Sequence, residues 1–292
     1  MKKMYSNKLN IALFLLPGLI LFVGVLVAPI IASGYFSFFD WNGIGEKVFI
    51  GFKNYVELFT SKPIGFLKAL RNSLLLAALS VCIQLPFCLW LALKVGKGIK
   101  GERFFLSVYF MPVLISTVVI GQLWLKIYNP DYGILNVLLR AVGLEKWAKI
   151  WLGTKKTALG AVFVPTLWQY VGYHMLLMYA GIKSVPPELR EAAMLDGATD
   201  GQVNRFIVIP YIKPVLRVSI IFAITGSLKS FDLIYVLTNG GPLHSTEVPS
   251  TLMINMMFLR NRYGMGSTIA VLLIFLCFGF ALLVGLFFKE ED

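Results

Sequence analysis

Residues Thr268–Phe288 read TIAVLLIFLCFGFALLVGLFF, a run without a single charged side chain. An α-helix needs about 20 mostly apolar residues to cross the hydrocarbon core of a bilayer, which is about 30 Å thick. This stretch therefore predicts a membrane-spanning helix, and with it an integral membrane protein.

Five further stretches have the same length and apolar character. The chain is 58% hydrophobic and 14% charged, with a mean hydropathy of +0.76, whereas soluble domains carry about 25% charged residues. We predict an all-α integral membrane protein, a single domain over residues 1–292, folded as a bundle of six transmembrane helices. The predicted spans lie near Ile11–Ser33, Ser73–Lys94, Phe104–Lys126, Ala158–Ile182, Val215–Val236 and Thr268–Phe288.

The first span follows Lys2, Lys3 and Lys8, which would also suit a signal peptide. Its apolar run exceeds the roughly 7–15 residues of a signal-peptide core, so we predict a retained helix. The short segments 1–10 and 94–103 hold seven basic residues, and short basic segments favour the cytoplasmic side. We therefore predict that both termini are cytoplasmic, although the total Lys and Arg counts on the two sides are equal.

The net charge of +12 does not indicate nucleic acid, because basic loops are expected where a protein meets anionic lipid headgroups. Cys82, Cys88 and Cys277 fall inside apolar spans, so we predict no disulfides. His174 and His244 are too far apart, and too different in setting, to predict a metal site.

Residues 184–210, between predicted spans four and five, are too polar for lipid and predict two short helices. Ser184 is a candidate N-cap, and Glu188 and Glu191 complement the positive end of a helix dipole. Gly197 supplies a C-terminal stop, after which a second helix begins at Thr199 or Asp200. The alternative is a plain loop that packs beneath its own bundle.

The order Glu191-Ala192-Ala193, Gly197, Ile207 and Pro210 resembles the EAA loop of ABC importer permeases, with Ile209 where that family usually has Leu. The resemblance implies a cytoplasmic hairpin that docks on a separate ATPase subunit. It also implies coupling roles for four residues, namely Glu191, Ala192, Ala193 and Gly197.

The chain itself lacks a phosphate-binding loop, because Gly96-Lys97 is followed by Gly98 and Leu91 stands where the first glycine is needed. We therefore predict a subunit that is not an enzyme and that has no cofactor of its own. Partner ATPase subunits are predicted to bind ATP and magnesium.

A second stretch, FDLIYVLTNGGP at 231–242, looks like the first pore subunit of maltose-type and multiple-sugar-type permeases, and GFKNY at 51–55 agrees. The resemblance implies a carbohydrate importer in a bacterial or archaeal cell (inner) membrane. The implied partners are a second, non-identical permease subunit, two nucleotide-binding ATPase subunits and an extracellular sugar-binding protein.

The same resemblance implies that the sugar meets the helices on either side of the hairpin. Hydroxyl, amide and aromatic side chains suit a sugar, although such residues also link transmembrane helices. Lys229 and Asp232 either line or brace this path, form an ion pair, or lie near the interface. The predicted substrate-path residues are Thr166, Gln169, Tyr170, Tyr173, Ser227 and Ser230.

Two other functions stay open at this point. A permease for glycerol-phosphate-like substrates shares these motifs, but a phosphate needs basic side chains in the path and Lys229 alone qualifies. An ion-coupled secondary transporter predicts charged residues near the midplane and inverted repeats. Intramembrane charge is sparse here and no repeat is evident.

Overall fold

The computed structural model describes residues 8–288, so Lys2, Lys3 and the two ends of the chain, which the orientation prediction uses, lie outside the described residues. The described residues form two compact units, one within residues 1–64 and 253–274 and the other within residues 65–252 and 275–292. The prediction of a single domain over 1–292 stays a prediction.

The described residues are predominantly helical. Antiparallel strands β1 (Phe39–Asp40) and β2 (Val48–Phe49) pair Phe39 with Phe49. The first helices are α1 (Lys8–Leu21), α2 (Ala28–Phe36), α3 (Lys53–Thr60), α4 (Phe66–Leu79), α5 (Leu85–Val95), α6 (Glu102–Leu114), α7 (Thr117–Ile127) and α8 (Ile134–Ala141). They are followed by α9 (Ala158–Lys183), α10 (Pro187–Leu195), α11 (Asp200–Val203), α12 (Ile209–Tyr211), α13 (Lys213–Leu228), α14 (Asp232–Thr238), α15 (Pro249–Ile254) and α16 (Tyr263–Phe287). A 3₁₀ turn covers Glu145–Trp147, and π-helical stretches cover Phe22–Val27, Ser80–Gln84, Asn204–Val208 and Asn255–Leu259.

Four helical segments of the described chain are long and apolar enough to cross a membrane, and the bent pair α6 and α7 makes a fifth if it is one span. These segments overlap five of the predicted spans. The predicted fourth span is also one helix, α9, but it is not among the four. The polar side chains of Gln169, Tyr170, Tyr173 and His174 lower its hydropathy, so the total of six spans stays a prediction.

The third predicted span, Phe104–Lys126, is wrong as a continuous helix. Helix α6 ends at Leu114 and α7 begins at Thr117, with an angle of 95° between them. Pro112 removes a backbone N–H from the last turn of α6, and Ile115 and Ser116 are extended, with ψ of 139° and 131°. The chain therefore turns sharply inside the apolar run.

The core of the second unit forms around α9, which packs against α5 and α6. Met175 and Met178 of α9 are buried together with Cys88 of α5. A Cβ atom at Gly172 would overlap the backbone carbonyl of Tyr109 in α6, so only glycine permits this close approach. This packing fixes the orientation of α9 and therefore the direction in which its polar face points.

The first unit is held together in part by buried and half-buried polar contacts. The amide of Asn54 donates to the carbonyls of Ser37 and Phe39, at 2.9 and 3.0 Å. Arg262 donates two hydrogen bonds to the carboxylate of Glu57, at 2.8 and 2.6 Å. These contacts join segments that are distant in sequence within this unit.

Candidate functional site

A cavity of about 320 Å³ lies among the helices of the second unit. Side chains from α4, α7, α9, α13 and α14 line it, together with the π-helical stretch between α4 and α5. The structure brings all six predicted substrate-path residues to this one cavity, namely Thr166, Gln169, Tyr170, Tyr173, Ser227 and Ser230. Their contact with a substrate stays a prediction.

Helix α9 supplies four of the six, because residues three and four apart share one helix face. Gln169 is almost fully buried, and its Nε2 donates to the Thr117 hydroxyl at 3.3 Å. The Thr166 hydroxyl donates to the Val162 carbonyl at 2.8 Å, within the same helix. The Tyr173 ring packs beside Phe222 of α13, with 6.3 Å between ring centroids. The α9 face is therefore part polar and part aromatic.

The other side of the cavity is formed where α13 stops and α14 begins. Residues Lys229, Ser230 and Phe231 interrupt the helix, and all three line the cavity. Asp232 opens α14, where a carboxylate complements the positive end of the helix dipole. Among the described residues no ion pair joins Lys229 to Asp232, so both charges are available at the cavity wall.

Five uncharged or histidine side chains of the cavity were not among the predicted substrate-path residues, namely Ser80, Gln84, Thr117, His174 and Thr225. Gln84 donates to the Leu167 carbonyl at 2.6 Å and accepts a hydrogen bond from Ser80. His174 is 4% exposed, and its Nδ1 has no hydrogen-bond partner within residues 8–288. The signal that could have found Gln84 is a buried amide within an apolar span, four residues from Ser80.

Segment 184–210 lies at the end of α9 and begins with α10. Gly197 has a φ of +85°, in the left-handed region that suits glycine. The N–H of Ala198 bonds to the carbonyl of Ala193 at 2.9 Å, which closes the end of α10. Thr199 and Gln202 then form a capping box that starts α11.

Three of the four predicted coupling residues are exposed on the surface of this segment. Glu191, Ala192 and Gly197 are exposed, and Ala193 is half-buried against the core. Two large apolar side chains, Leu195 and Phe206, are 89% and 67% exposed.

An ion pair attaches this segment to the loop after α5. Lys97 Nζ lies 2.5 Å from a carboxylate oxygen of Asp200, and this hydrogen bond holds the pKa of Asp200 below its ordinary value. Both side chains are largely exposed, so solvent screens the pair and leaves it little effect on stability.

Comparison with known proteins places the chain among transport components. The family described as "Binding-protein-dependent transport system inner membrane component" matches residues 61–290. The chain is 39% identical over 289 residues to "Probable ABC transporter permease protein YurN" of Bacillus subtilis, covering 97% of each. It is 30% identical over 282 residues to "Trehalose/maltose transport system permease protein MalF" of Thermococcus litoralis, covering 95% of this chain and 94% of that one.

A third relative is "Diacetylchitobiose uptake system permease protein NgcF" of Streptomyces coelicolor, with 32% identity over 280 residues, 92% of this chain and 79% of the relative. A solved structure described as "Crystal structure of bacterial alginate ABC transporter in complex with alginate pentasaccharide-bound periplasmic protein" superimposes with a TM-score of 0.83. Its identity to this chain is 25%, and the match covers 97% of this chain and 94% of that chain.

Proposed function

This chain belongs to the family of binding-protein-dependent transport system inner membrane components, and from that premise we propose that it is a pore-forming permease subunit of an ATP-driven sugar importer. It moves sugar inward by alternating access, and its own residues catalyse no reaction. Its partners are a second, non-identical permease, two ATPase subunits that bind ATP and magnesium, and an external sugar-binding protein.

The observation that carries this proposal is the cavity, where the six substrate-path residues meet. Hydroxyl and amide groups from Thr166, Gln169 and Ser230 provide donors and acceptors for sugar hydroxyls. The rings of Tyr170, Tyr173 and Phe231 provide the apolar faces on which a pyranose ring stacks. A mostly apolar cavity with a few placed polar groups is the usual form of a small-molecule site.

The charges at the cavity favour a neutral sugar over a glycerol-phosphate-like substrate. Among the described residues that line the cavity, Lys229 is the single Lys or Arg side chain. The carboxylate of Asp232 lines the same cavity. Their formal charges cancel, whereas phosphate recognition needs an excess of basic donors. The phosphate alternative is therefore disfavoured.

Coupling to ATP hydrolysis runs through segment 184–210, which we place on the cytoplasmic face together with both termini. Its exposed residues support a docking role: Glu191 offers a carboxylate to a basic group, and Ala192 permits close approach of another surface. The exposed side chain of Leu195 offers apolar contact. In this proposal α9 spans the membrane as one of six helices, so that the cavity lies within the bilayer.

The test is to purify the chain from its native host together with the proteins bound to it, and to reconstitute that complex in proteoliposomes with its sugar-binding protein. We expect co-purification with ATPase subunits and ATP-dependent uptake of a neutral saccharide in the presence of its binding protein. Absence of any co-purifying ATPase would overturn the proposal. Uptake driven by an ion gradient without ATP would instead favour the secondary-transporter alternative.

A further inference from the structure

Arg190 forms a contact that none of the motifs explains. From the middle of α10 its Nη2 donates to the carbonyl oxygen of Ile182 at 2.6 Å, near the end of α9. A hydrogen bond from a charged donor is stronger than a neutral one, and the last carbonyls of a helix attract basic groups. Through this hydrogen bond, Arg190 links α10 to the C-terminal turn of α9, the helix that lines the cavity.

The last turn of α9 is closely packed around Ile182. Ile182 is 2% exposed. A Cβ atom added at Gly96 would lie 3.0 Å from the Ile182 side chain, and one added at Gly181 would lie 3.0 Å from Val215 of α13. The loop after α5 and the start of α13 are therefore both closely packed against the end of α9.

The second half of the hairpin is buried in the same core. Val203 and Val208 are 3% and 0% exposed, and they pack in one cluster with Met178 and Ile182 of α9. Apolar contact of this kind is non-directional and holds the hairpin to the bundle. The Arg190 hydrogen bond is the directional contact that fixes how α10 is oriented against α9.

We propose that Arg190 is a positioning residue that makes α10 and α9 move as one body, so that motion of the coupling hairpin reaches the cavity. The inference rests on the proposed function. Between Thr166 and Lys183 helix α9 contains no proline or break. At a rise of 1.5 Å per residue, Tyr173 lies about 14 Å from Ile182 along this rod. A movement of the hairpin therefore also moves the residues of α9 that line the cavity.

The other polar link of the hairpin makes a matched control. Lys97 and Asp200 are 40% and 62% exposed and lie 2.5 Å apart, and exposed ion pairs contribute little. Lys97→Met and Arg190→Met each remove one positive charge and keep an unbranched side chain. Only the second removes the contact with α9.

The experiment uses the whole complex with its binding protein in proteoliposomes. In Arg190→Met we expect unchanged co-purification, loss of the ATPase stimulation by sugar-loaded binding protein, and transport per ATP reduced about tenfold, within the usual range of coupling between sites. Arg190→Lys, which keeps one charged donor, should recover part of the coupling. Lys97→Met should stay within about twofold of the native complex.

Native coupling in Arg190→Met would overturn the inference, and so would loss of assembly in both Arg190 variants. If only Arg190→Lys assembles, reduced coupling in it supports the inference and native coupling overturns it. A native complex that neither hydrolyses ATP nor transports sugar would count against the proposed function. That outcome is distinct, because it appears before any variant is compared.

Discussion

Gln169 is the cavity residue whose replacement best separates substrate contact from structural support. It is 3% exposed, lines the cavity and has one weak side-chain partner, Thr117, at 3.3 Å. In Gln169→Leu the side chain keeps a similar size but loses its donor and acceptor. Losing a hydrogen bond to substrate costs about 1–2 kcal/mol, so the KM of uptake should rise about 5–30-fold.

The matched control is Val164→Ala on the same helix. Val164 is 52% exposed and does not line the cavity, so its KM should stay at the native value. Initial uptake rates over a range of sugar concentrations in proteoliposomes measure both variants. An unchanged KM in Gln169→Leu would remove this residue from the substrate path.

The Glu57–Arg262 pair predicts a pH dependence of stability. The hydrogen bond from Arg262 lowers the pKa of Glu57 from its ordinary value of 4.5, against the opposing effect of burial. A carboxyl group with a lowered folded-state pKa contributes its full stabilisation above its unfolded pKa, and loses it as the pH falls through the folded-state pKa. Since the side chain of Glu57 is 42% exposed, the contribution should be below about 1 kcal/mol.

The measurement is the difference in Tm between the native protein and Glu57→Gln. We expect the native protein to be more stable at about pH 7, and the difference to decrease as the pH falls below 4.5 and through the lowered pKa of Glu57. A difference that is the same at every pH would show that charge on Glu57 plays no part.

For individual residues, the sequence predicted which side chains of α9 are suited to bind a sugar, but not which residues of other helices lie beside them. The resemblance to sugar permeases indicated the polar residues of α9, and their spacing of three and four residues puts them on one helix face, which the structure places on the cavity. Gln84 and Thr117 were missed because nothing in their spacing along the chain connects them to α9. Their membership is decided by contacts across 83 and 52 residues of chain.

Among the helices and turns, the turn at Gly197 provides the clearest test of the coupling role proposed for segment 184–210. Gly197 has a φ of +85°, and a Cβ atom added there would meet nothing within 4 Å. Gly197→Leu is therefore strained by its backbone rather than by crowding, at about 1–2 kcal/mol. We expect the complex to assemble but to lose sugar-stimulated ATPase activity and uptake.

Gly201→Ala is the control, since this glycine also has open space but no positive φ. It should couple normally, because alanine is favoured in helices. Both variants need ATPase and uptake assays on the same reconstituted complex. Full coupling in Gly197→Leu would contradict a role for this turn.

The helix boundaries also show that hydropathy does not predict where a helix breaks. The apolar run Phe104–Lys126 predicts one membrane-spanning helix, but α6 and α7 meet at 95°. Likewise, the chain between α13 and α14 leaves the helix at Lys229–Phe231. A sum of side-chain hydropathies contains no information about backbone breaks, and Pro112 alone does not specify the angle. The breaks matter because they bring Thr117 and Ser230 to the cavity.

For the whole molecule, the number of spans yields a direct prediction. If α9 crosses the membrane, residues before and after it lie on opposite sides. We expect a single cysteine at Lys155 to react with an impermeant thiol reagent from outside intact cells, and one at Asp196 to react only after the membrane is opened. Cys82, Cys88 and Cys277 must first be replaced by alanine.

Labelling of both positions from the same side would contradict six spans, because α9 would then not cross. A cysteine at Lys62, in the segment between the first two spans, is the control for outside labelling. The assay needs no partner subunit and so tests topology independently of transport.

The amino-acid sequence is enough to identify a helical membrane protein, and its resemblance to sugar ABC permeases is confirmed by the family match and relatives. These properties can be predicted because length, hydropathy and short motifs are local along the chain. The convergence of α4, α7, α9, α13 and α14 on one cavity, and the hydrogen bond that links Arg190 of α10 to α9, could be seen only in the folded structure. Convergence depends on close packing at positions such as Gly172 and on the angle of each break, and these are fixed by contacts between segments far apart in sequence.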